Sequence, residues 1–373
     1  MKSPRAALEP EAAPPPPPAS RHARNQWVVI GNLIVTVLLI GLVGGLAGFL
    51  YARQAFVAPG PLQQDRAVFI ERGSNAEQVA QTLERNGVIS SALLFTGAVQ
   101  LYGVRGDLKW GEYLFPKQVS TAGALAIVLE GKPIEYRITI PEGLTSEQIV
   151  MRLNDNDVLT GDVNEIPPEG SLLPDTYKFQ RGSTRQAIVD RMTRDQRRIL
   201  NEVWAKRPAD LPIKTPQELV ILASIVEKET GLAAERPRVA AVFVNRLRQG
   251  MKLESDPTII YGLTGGRPLG RGLRQSELDA VNPYSTYQID GLPPGPIANP
   301  GRASLAAVLN PPRTSDRYFV ADGTGGHVFA ANFDDHLENV ARWRKVEQAR
   351  AAQAAKAAKA TGEPTAASGT AGQ

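Results

Sequence analysis

The sequence predicts an α+β protein carried behind a single N-terminal transmembrane helix, and three observations make that prediction. First, the 25-residue stretch from Trp27 to Tyr51 holds no charged residue. Second, short alternating strand patterns recur further on, each followed by an amphipathic helix. Third, an apolar helix near residue 220 opens onto loops rich in Pro, Gly, Asn and Tyr.

A chain of 373 residues can hold more than one core, since domains run to roughly 100–200 residues. The 42 Lys plus Arg stand against 38 Asp plus Glu, a net charge of only +4. No basic tract is interleaved with aromatic residues, so nucleic acid is excluded as a partner. Cysteine is absent, which removes disulfides, thiolate zinc sites and a Cys nucleophile together. The three histidines, His22, His327 and His336, are too dispersed to form a metal site. No metal or cofactor is expected, and chemistry must rest on carboxylates, hydroxyls and amides.

Residues 1–26 read as a disordered tail containing the polyproline spacer AAPPPPPAS. Residues 27–51, as a helix, span roughly 35 Å, enough for a bilayer core with some tilt. The run is longer than the ~7–15-residue apolar region of a cleaved signal peptide, which favours a retained anchor. Lys2, Arg5, Arg21 and Arg24 precede it, while Arg53 and Arg66 are the nearest basic residues after it. The positive-inside rule then leaves the N-terminus in the cytoplasm and sends the rest across the membrane. Gly44 and Gly48 form a GxxxG pair, but glycine is common in membrane helices and the pair alone does not argue for a dimer.

Residues 52–65, ending in VAPGPLQQ, read as a linker. From 66 to 206 the chain echoes itself. VFIERGSNAEQVAQTLERNGVI (68–89) matches ITIPEGLTSEQIVMRLNDNDVL (138–159) in layout: strand, Gly turn, Ser cap, amphipathic helix. Ser74 with Glu77 fits a capping box, and Ser146 takes the corresponding place. GEYLFPKQVSTAGALAIVLEG (111–131) pairs likewise with PDTYKFQRGSTRQAIVDRM (174–192), with Tyr113 and Tyr177 in the strands. Each unit is too small to bury a core alone, so small α+β modules packed together are expected. A Pro cluster marks a boundary near 207–215.

Thr215, Pro216 and Glu218 read as N-cap, N1 and N3 of the next helix. It is expected to run to about Thr230, with Gly231 as a left-handed stop. Glu227 shares a helix face with Ala223, Ser224 and Thr230, whereas Lys228 and Glu229 point elsewhere. A carboxylate on an apolar face near a helix C-terminus is biased toward its neutral form by burial and by the helix dipole. A general acid working near neutral pH needs that bias. The spacing alone leaves two readings open, a tuned acid or a helix that has reached water. Beyond it, Ser255-Asp256-Pro257-Thr258 reads as a capping turn, and Asn299-Pro300 as the cap of the helix PGRASLAAVLN. The loops between are dense in neutral hydrogen-bonding groups and Tyr rings, a surface suited to a hydroxyl-rich polymer. The end of the chain, 346–373, reads as an Ala-rich frayed helix running into a disordered tail.

In order, ASIVEKET, VAAVFVNRLRQGM, SDPTIIYGL, NPYSTYQIDGLPPGPIANPG and FVADGTGGHVFA resemble the catalytic domain of the endolytic murein transglycosylases, the MltG or YceG-like family. EGSLLPDTYKF, upstream, is similar to the same family, and the resemblance covers roughly residues 27–345. It implies a LysM-like peptidoglycan-binding region over 66–206 and a YceG-like α+β catalytic domain over 207–345. It also implies an inner-membrane protein with its catalytic domain in the periplasm, acting on peptidoglycan strands, with peptidoglycan synthases as further partners. By resemblance Glu227 is the single acid/base. It would protonate the glycosidic oxygen and then take the proton of the attacking 6-hydroxyl, leaving a 1,6-anhydro end. Candidates for holding the sugar are Ser224, Glu254, Asp256, Asn282, Tyr284, Ser285, Thr286 and Tyr287. Two departures stand out: Leu173 replaces an expected aromatic residue, and Glu254 an expected glutamine. The second puts an extra acid near the site, so a two-carboxylate hydrolase is one rival. A non-catalytic wall-binding scaffold is the other.

Overall fold

The computed structural model describes residues 26–361, with side chains described to residue 353. By its contacts the chain divides into two compact units, one ending at Pro133 and one beginning at Ile134. The division falls inside the 66–206 stretch that the sequence presents as one region. The predicted tail 1–26 lies outside the described residues except for Gln26, as do residues 362–373.

The first unit begins with α1 (Gln26–Val57). This helix is 32 residues long and carries the charge-free stretch, which makes it long and apolar enough to cross a membrane. It runs six residues past Tyr51, because ARQAFV contains no breaker and the first proline is Pro59. Then come β1 (Arg66–Ile70), α2 (Ala76–Arg85), α3 (Ala92–Leu101), β2 (Gly111–Phe115) and α4 (Thr121–Glu130). β1 and β2 pair antiparallel with Val68 opposite Tyr113. Leu83, Phe95, Tyr113, Phe115 and Val128 close a core beneath this pair, and Phe56 of α1 packs on it.

The second unit opens with β3 (Tyr136–Thr139), α5 (Ser146–Asn154), β4 (Thr176–Phe179) and α6 (Arg185–Trp204). These elements enclose their own small core of Ile138, Ile149, Leu153, Tyr177 and Met192. A larger core follows, built from α7 (Pro216–Glu229), α8 (Arg236–Arg248), α9 (Asp256–Thr264) and α11 (Arg302–Leu309), with the short α10 (Gln275–Asp279) before α11. The hairpin β5 (Tyr318–Ala321) and β6 (His327–Ala330) leads into α12 (Phe333–Thr361). Residues 346–361 therefore continue a helix that starts before them.

The internal echo is real in the fold. β3 pairs antiparallel with β4 as β1 does with β2. Tyr113 donates its hydroxyl to the Lys109 carbonyl at 3.0 Å, and Tyr177 donates to Leu173 at 2.9 Å, four residues back in both cases. Both first helices carry a capping box, but each lies one residue from where the sequence places it or its partner. Asn75 pairs reciprocally with Gln78, and Thr145 with Gln148. The amide oxygen of Gln78 or Gln148, at the third helical position, accepts the cap residue's own N–H, whereas Glu77 is left accepting from Gln81 one turn on.

Candidate functional site

Every residue of α7 from Leu219 to Val226 is buried, so this helix has protein on all sides. Its start follows expectation: Thr215 accepts the Glu218 N–H at 3.1 Å, with Pro216 in the first turn. Its end differs. Thr230 is extended and its hydroxyl takes the Leu232 N–H at 3.0 Å, and Gly231 is not left-handed. A hydroxyl thus ends the helix where a glycine was expected to.

Two carboxylates leave this helix end in different directions. Glu227, with a side chain only 4% exposed, accepts from Arg236 Nη2 at 3.2 Å and from the Gly301 N–H at 2.9 Å, at the start of α11. Arg236 also lies 3.6 Å from Glu142. Burial, and then the charge of Glu227, hold the Glu142 carboxyl above its ordinary range. Only intrahelical neighbours were available to the sequence reading, and neither of these partners is one.

Glu229, part-buried as Glu227 is, accepts a short hydrogen bond from Ser255 Oγ, just before α9. Burial pushes its carboxyl up to about 7; the neighbouring charge of Asp256 adds to this, while the Ser255 bond and Arg246 oppose it. The wall facing it is tightly tied. The Ser255 N–H donates to Thr286 Oγ1 at 2.9 Å, and the Thr258 and Thr286 hydroxyls meet at 2.9 Å. The Glu254 N–H donates to the Thr286 carbonyl at 3.1 Å. Tyr287 donates its hydroxyl to Asp256 Oδ1 at 2.8 Å. Burial, and next the Asp256 charge, raise the Tyr287 phenol, so it stays a donor.

Arg246 of α8 sets the approach to this wall. It donates to the carbonyls of Lys252 and Leu253, each at 3.0 Å, and to Glu254 Oε2 at 2.8 Å. Glu254 itself sits at φ 52°, in the left-handed region that a non-glycine residue seldom occupies. The extra acid is therefore a partner of Arg246 at the turn into α9. Ser255 is the N-cap of that helix without a side-chain cap bond, and Asp256 is its first residue. Asp256 is free of the capping role expected of it and bonds Tyr287 instead.

Of the residues expected at the site, Glu254, Asp256, Thr286 and Tyr287 gather around Glu229. Ser224 does not join them: it is fully buried, donates to Ile221 and accepts the Ile297 N–H at 3.0 Å. Asn282, Tyr284 and Ser285 shape the loop from within. Asn282 accepts the Tyr284 N–H at 2.9 Å, the Tyr284 ring lies 4.9 Å from that of Tyr261, and Ser285 is fully buried. Asn299 is no helix cap, since Gly301 takes that place. It is completely buried and accepts the Leu172 N–H at 2.9 Å while donating to Glu169 at 2.8 Å. That bond explains the EGSLLPDTYKF segment. Glu169, raised by burial, also takes the Ser146 N–H at 2.9 Å. Gly170 is left-handed at φ 75°, and a Cβ there would lie 2.7 Å from Pro296 and Val220.

Glu229, Ser255 and Arg246 were not singled out in the sequence. A signal was present: the helix is apolar on all faces up to Val226, so both late carboxylates, Glu227 and Glu229, called for scrutiny. Among the described residues no group of three or more His, Asp or Glu side chains could hold a metal ion.

The model of the YceG-like family matches residues 68–342, well over half the chain. The chain belongs to the YceG-like family. Among its relatives is the endolytic murein transglycosylase of Streptococcus pneumoniae serotype 2 (strain D39), 29% identical over 366 residues, covering 84% of this chain and 64% of the relative. The chain thus spans a little under two thirds of that relative's length. The endolytic murein transglycosylase of Bacillus subtilis (strain 168) is 28% identical over 330 residues, covering 79% of this chain and 89% of the relative. A crystal structure of a YceG-like protein from Listeria monocytogenes is 28% identical and covers 74% of this chain and 99% of that one, with a TM-score of 0.44, too low to carry an argument. The family match runs from within β1 to within α12 and leaves out α1.

Proposed function

We propose that the protein is a membrane-anchored lytic transglycosylase that cuts peptidoglycan strands internally, with Glu229 as its acid/base. One observation carries the choice of residue: Glu229 lies against the Ser255 hydroxyl and beside Asp256, the partner of Tyr287, and burial raises its carboxyl to about 7. Glu227, which resemblance first suggested, has its oxygens taken by Arg236 and the Gly301 N–H. It serves better as a brace between α7, α8 and α11.

In this reading protonated Glu229 gives its proton to the glycosidic oxygen between N-acetylmuramic acid and N-acetylglucosamine as that bond breaks. The 6-hydroxyl of the same muramic ring bonds to C1, and its proton passes to the Glu229 carboxylate. No water is consumed, the acid is restored, and a 1,6-anhydro end remains. An attacking group already on the substrate gives proximity without a bound water. Asp256, held by Tyr287, stands where a negative charge would favour the developing positive charge on the sugar. Thr286 and the loop 282–287 keep that pair in place.

Names of relatives support the substrate class, and the length and composition of α1 support a single-pass anchor. The basic residues before α1 favour a cytoplasmic N-terminus, with both units outside. The module repeated over 66–206 is proposed as the LysM-like wall-binding part, and synthases as neighbours at the membrane.

The closeness of Asp256 to Glu229 favours one second reading, a hydrolase in which the two carboxylates share the work. Digestion of intact strands by the full chain in detergent, with the product ends read by mass spectrometry, separates them. Anhydro ends support the transglycosylase and reducing ends the hydrolase. Binding without cleavage would leave the scaffold.

A further inference from the structure

We propose that α3 lies on the outer surface of the membrane, as a second contact with lipid beside α1. This rests on the reading of α1 as the bilayer span. The charge-free part of α1 ends at Tyr51, so Phe49, Leu50 and Tyr51 stand where the helix leaves hydrocarbon. The next turns of α1 do not run free. Phe56 packs on the core of the first unit, and its ring lies 6.4 Å from that of Tyr102, the residue that ends α3. The place where α1 emerges therefore fixes the level of α3.

The composition of α3 suits that level. ALLFTGAVQL contains no charged residue. Phe95 and Val99 point inward and are fully buried. The opposite stripe consists of Leu93, Gly97 and Leu101, at i, i+4 and i+8, with Gln100 at its edge. Leu93 is 81% exposed and Leu101 73%. A surface helix facing water would carry polar residues along this stripe. An apolar stripe on a helix lying beside a membrane span is what an interfacial helix presents to lipid.

Two further features point to the same partner. Between the end of α1 and α3 lies a cleft of about 300 Å³, lined by Phe49, Ala52, Phe56, Leu94, Ala98 and Leu101. Its walls are mostly apolar, and Arg53 and Tyr102 also line it, Arg53 supplying the charge a headgroup phosphate would want. Tyr51 and Tyr102 are both largely exposed, one on each helix, and tyrosines favour the boundary between lipid and water. Through Gly97 and Leu101 the apolar patch is continuous with the end of α1, which argues for lipid over a protein partner, while Leu93, at the far end of α3, borders Glu77, Gln81 and Arg105. Two points of contact would restrict how the first unit tilts about the anchor.

The absence of cysteine makes the test simple, because single cysteines can be introduced without removing others. Full-length chains carrying Leu50→Cys, Leu93→Cys, Leu101→Cys or Glu71→Cys are labelled with an environment-sensitive fluorophore. They are reconstituted as single copies in nanodiscs of phosphatidylethanolamine and phosphatidylglycerol, with and without lipids brominated near the headgroup. Labels at Leu93 and Leu101 should lose fluorescence to the brominated lipids to an extent comparable with Leu50, while Glu71 keeps its signal. Quenching at Leu50 alone would overturn the proposal and leave the anchor intact. Labels at Leu93 and Leu101 that are shielded from water yet unquenched would overturn it in favour of a protein contact. Equal quenching at Glu71 would also overturn it, since the contact would not belong to α3. No quenching at Leu50 would fail the anchor itself.

Discussion

Glu227 and Glu229 leave the same helix two residues apart and meet opposite conditions. Around Glu227 the protein has already spent the carboxylate, on a guanidinium and on a backbone N–H at the start of α11. Around Glu229 it supplies the Ser255 hydroxyl and a neighbouring negative charge, that of Asp256. The contrast teaches that burial does not by itself make an acid. A buried carboxylate becomes a brace when its partners are complete, and a proton donor when they are incomplete and a substrate can reach it.

The largest expected effect on stability comes from breaking the brace. Glu227→Ala leaves Arg236 buried with only Glu142 nearby, and removing one partner of a buried pair costs about 3–5 kcal/mol. Urea unfolding of the full chain in detergent, read by tryptophan fluorescence, measures it. A loss below about 1 kcal/mol would place Glu227 among ordinary surface acids.

The next effect is a dependence on pH. The Glu229 carboxyl is raised from 4.5 to about 7, so between those values the folded state holds a proton that the unfolded state has released. Stability therefore falls as pH rises through this window and levels off above it. Glu229→Gln has no such titration and should gain on the parent over the same window, by on the order of 3 kcal/mol. Parallel denaturation curves at several pH values check the sign and the window. The cleavage rate should fall over the upper limb for the related reason that a general acid must carry its proton.

Smaller effects probe the facing wall. Tyr287→Phe removes the donor to Asp256, a charge-assisted bond of about 1.5–3 kcal/mol, and should slow cleavage by roughly tenfold or more with little change in fold. Glu254→Gln should change the rate least. Its carboxylate is 46% exposed and paired with Arg246, where ion pairs are worth about 0–1 kcal/mol. Loss of most activity in that variant would favour a two-carboxylate hydrolase.

The same contrast explains what could be read in advance. Local rules worked where the partners are local: the apolar helix α1, the Thr215 cap and the two echoing modules. They slipped by a residue at Ser74 and Ser146, where the true caps are Asn75 and Thr145. They failed for Asn299, whose partners Leu172 and Glu169 are more than a hundred residues away in the chain. The surroundings of Glu229 were not legible for the same reason, because Ser255 reaches it from a different part of the chain. Face arguments within α7 saw two carboxylates and could rank them only by their intrahelical neighbours. Asp256, Thr286 and Tyr287 were candidates by resemblance, and the bonds among them and Thr258 were not legible because they join separate loops.

The most direct test sets the two glutamates side by side. Full-length Glu229→Gln and Glu227→Gln chains, both checked for folding, are given the same intact peptidoglycan, and the 1,6-anhydro ends formed per folded molecule are counted by mass spectrometry. Loss of a general acid removes about 10²–10⁴ of the rate, so Glu229→Gln should form almost no anhydro ends while Glu227→Gln keeps most of its yield. The reverse pattern, with Glu229→Gln active and Glu227→Gln silent, would return the acid role to Glu227.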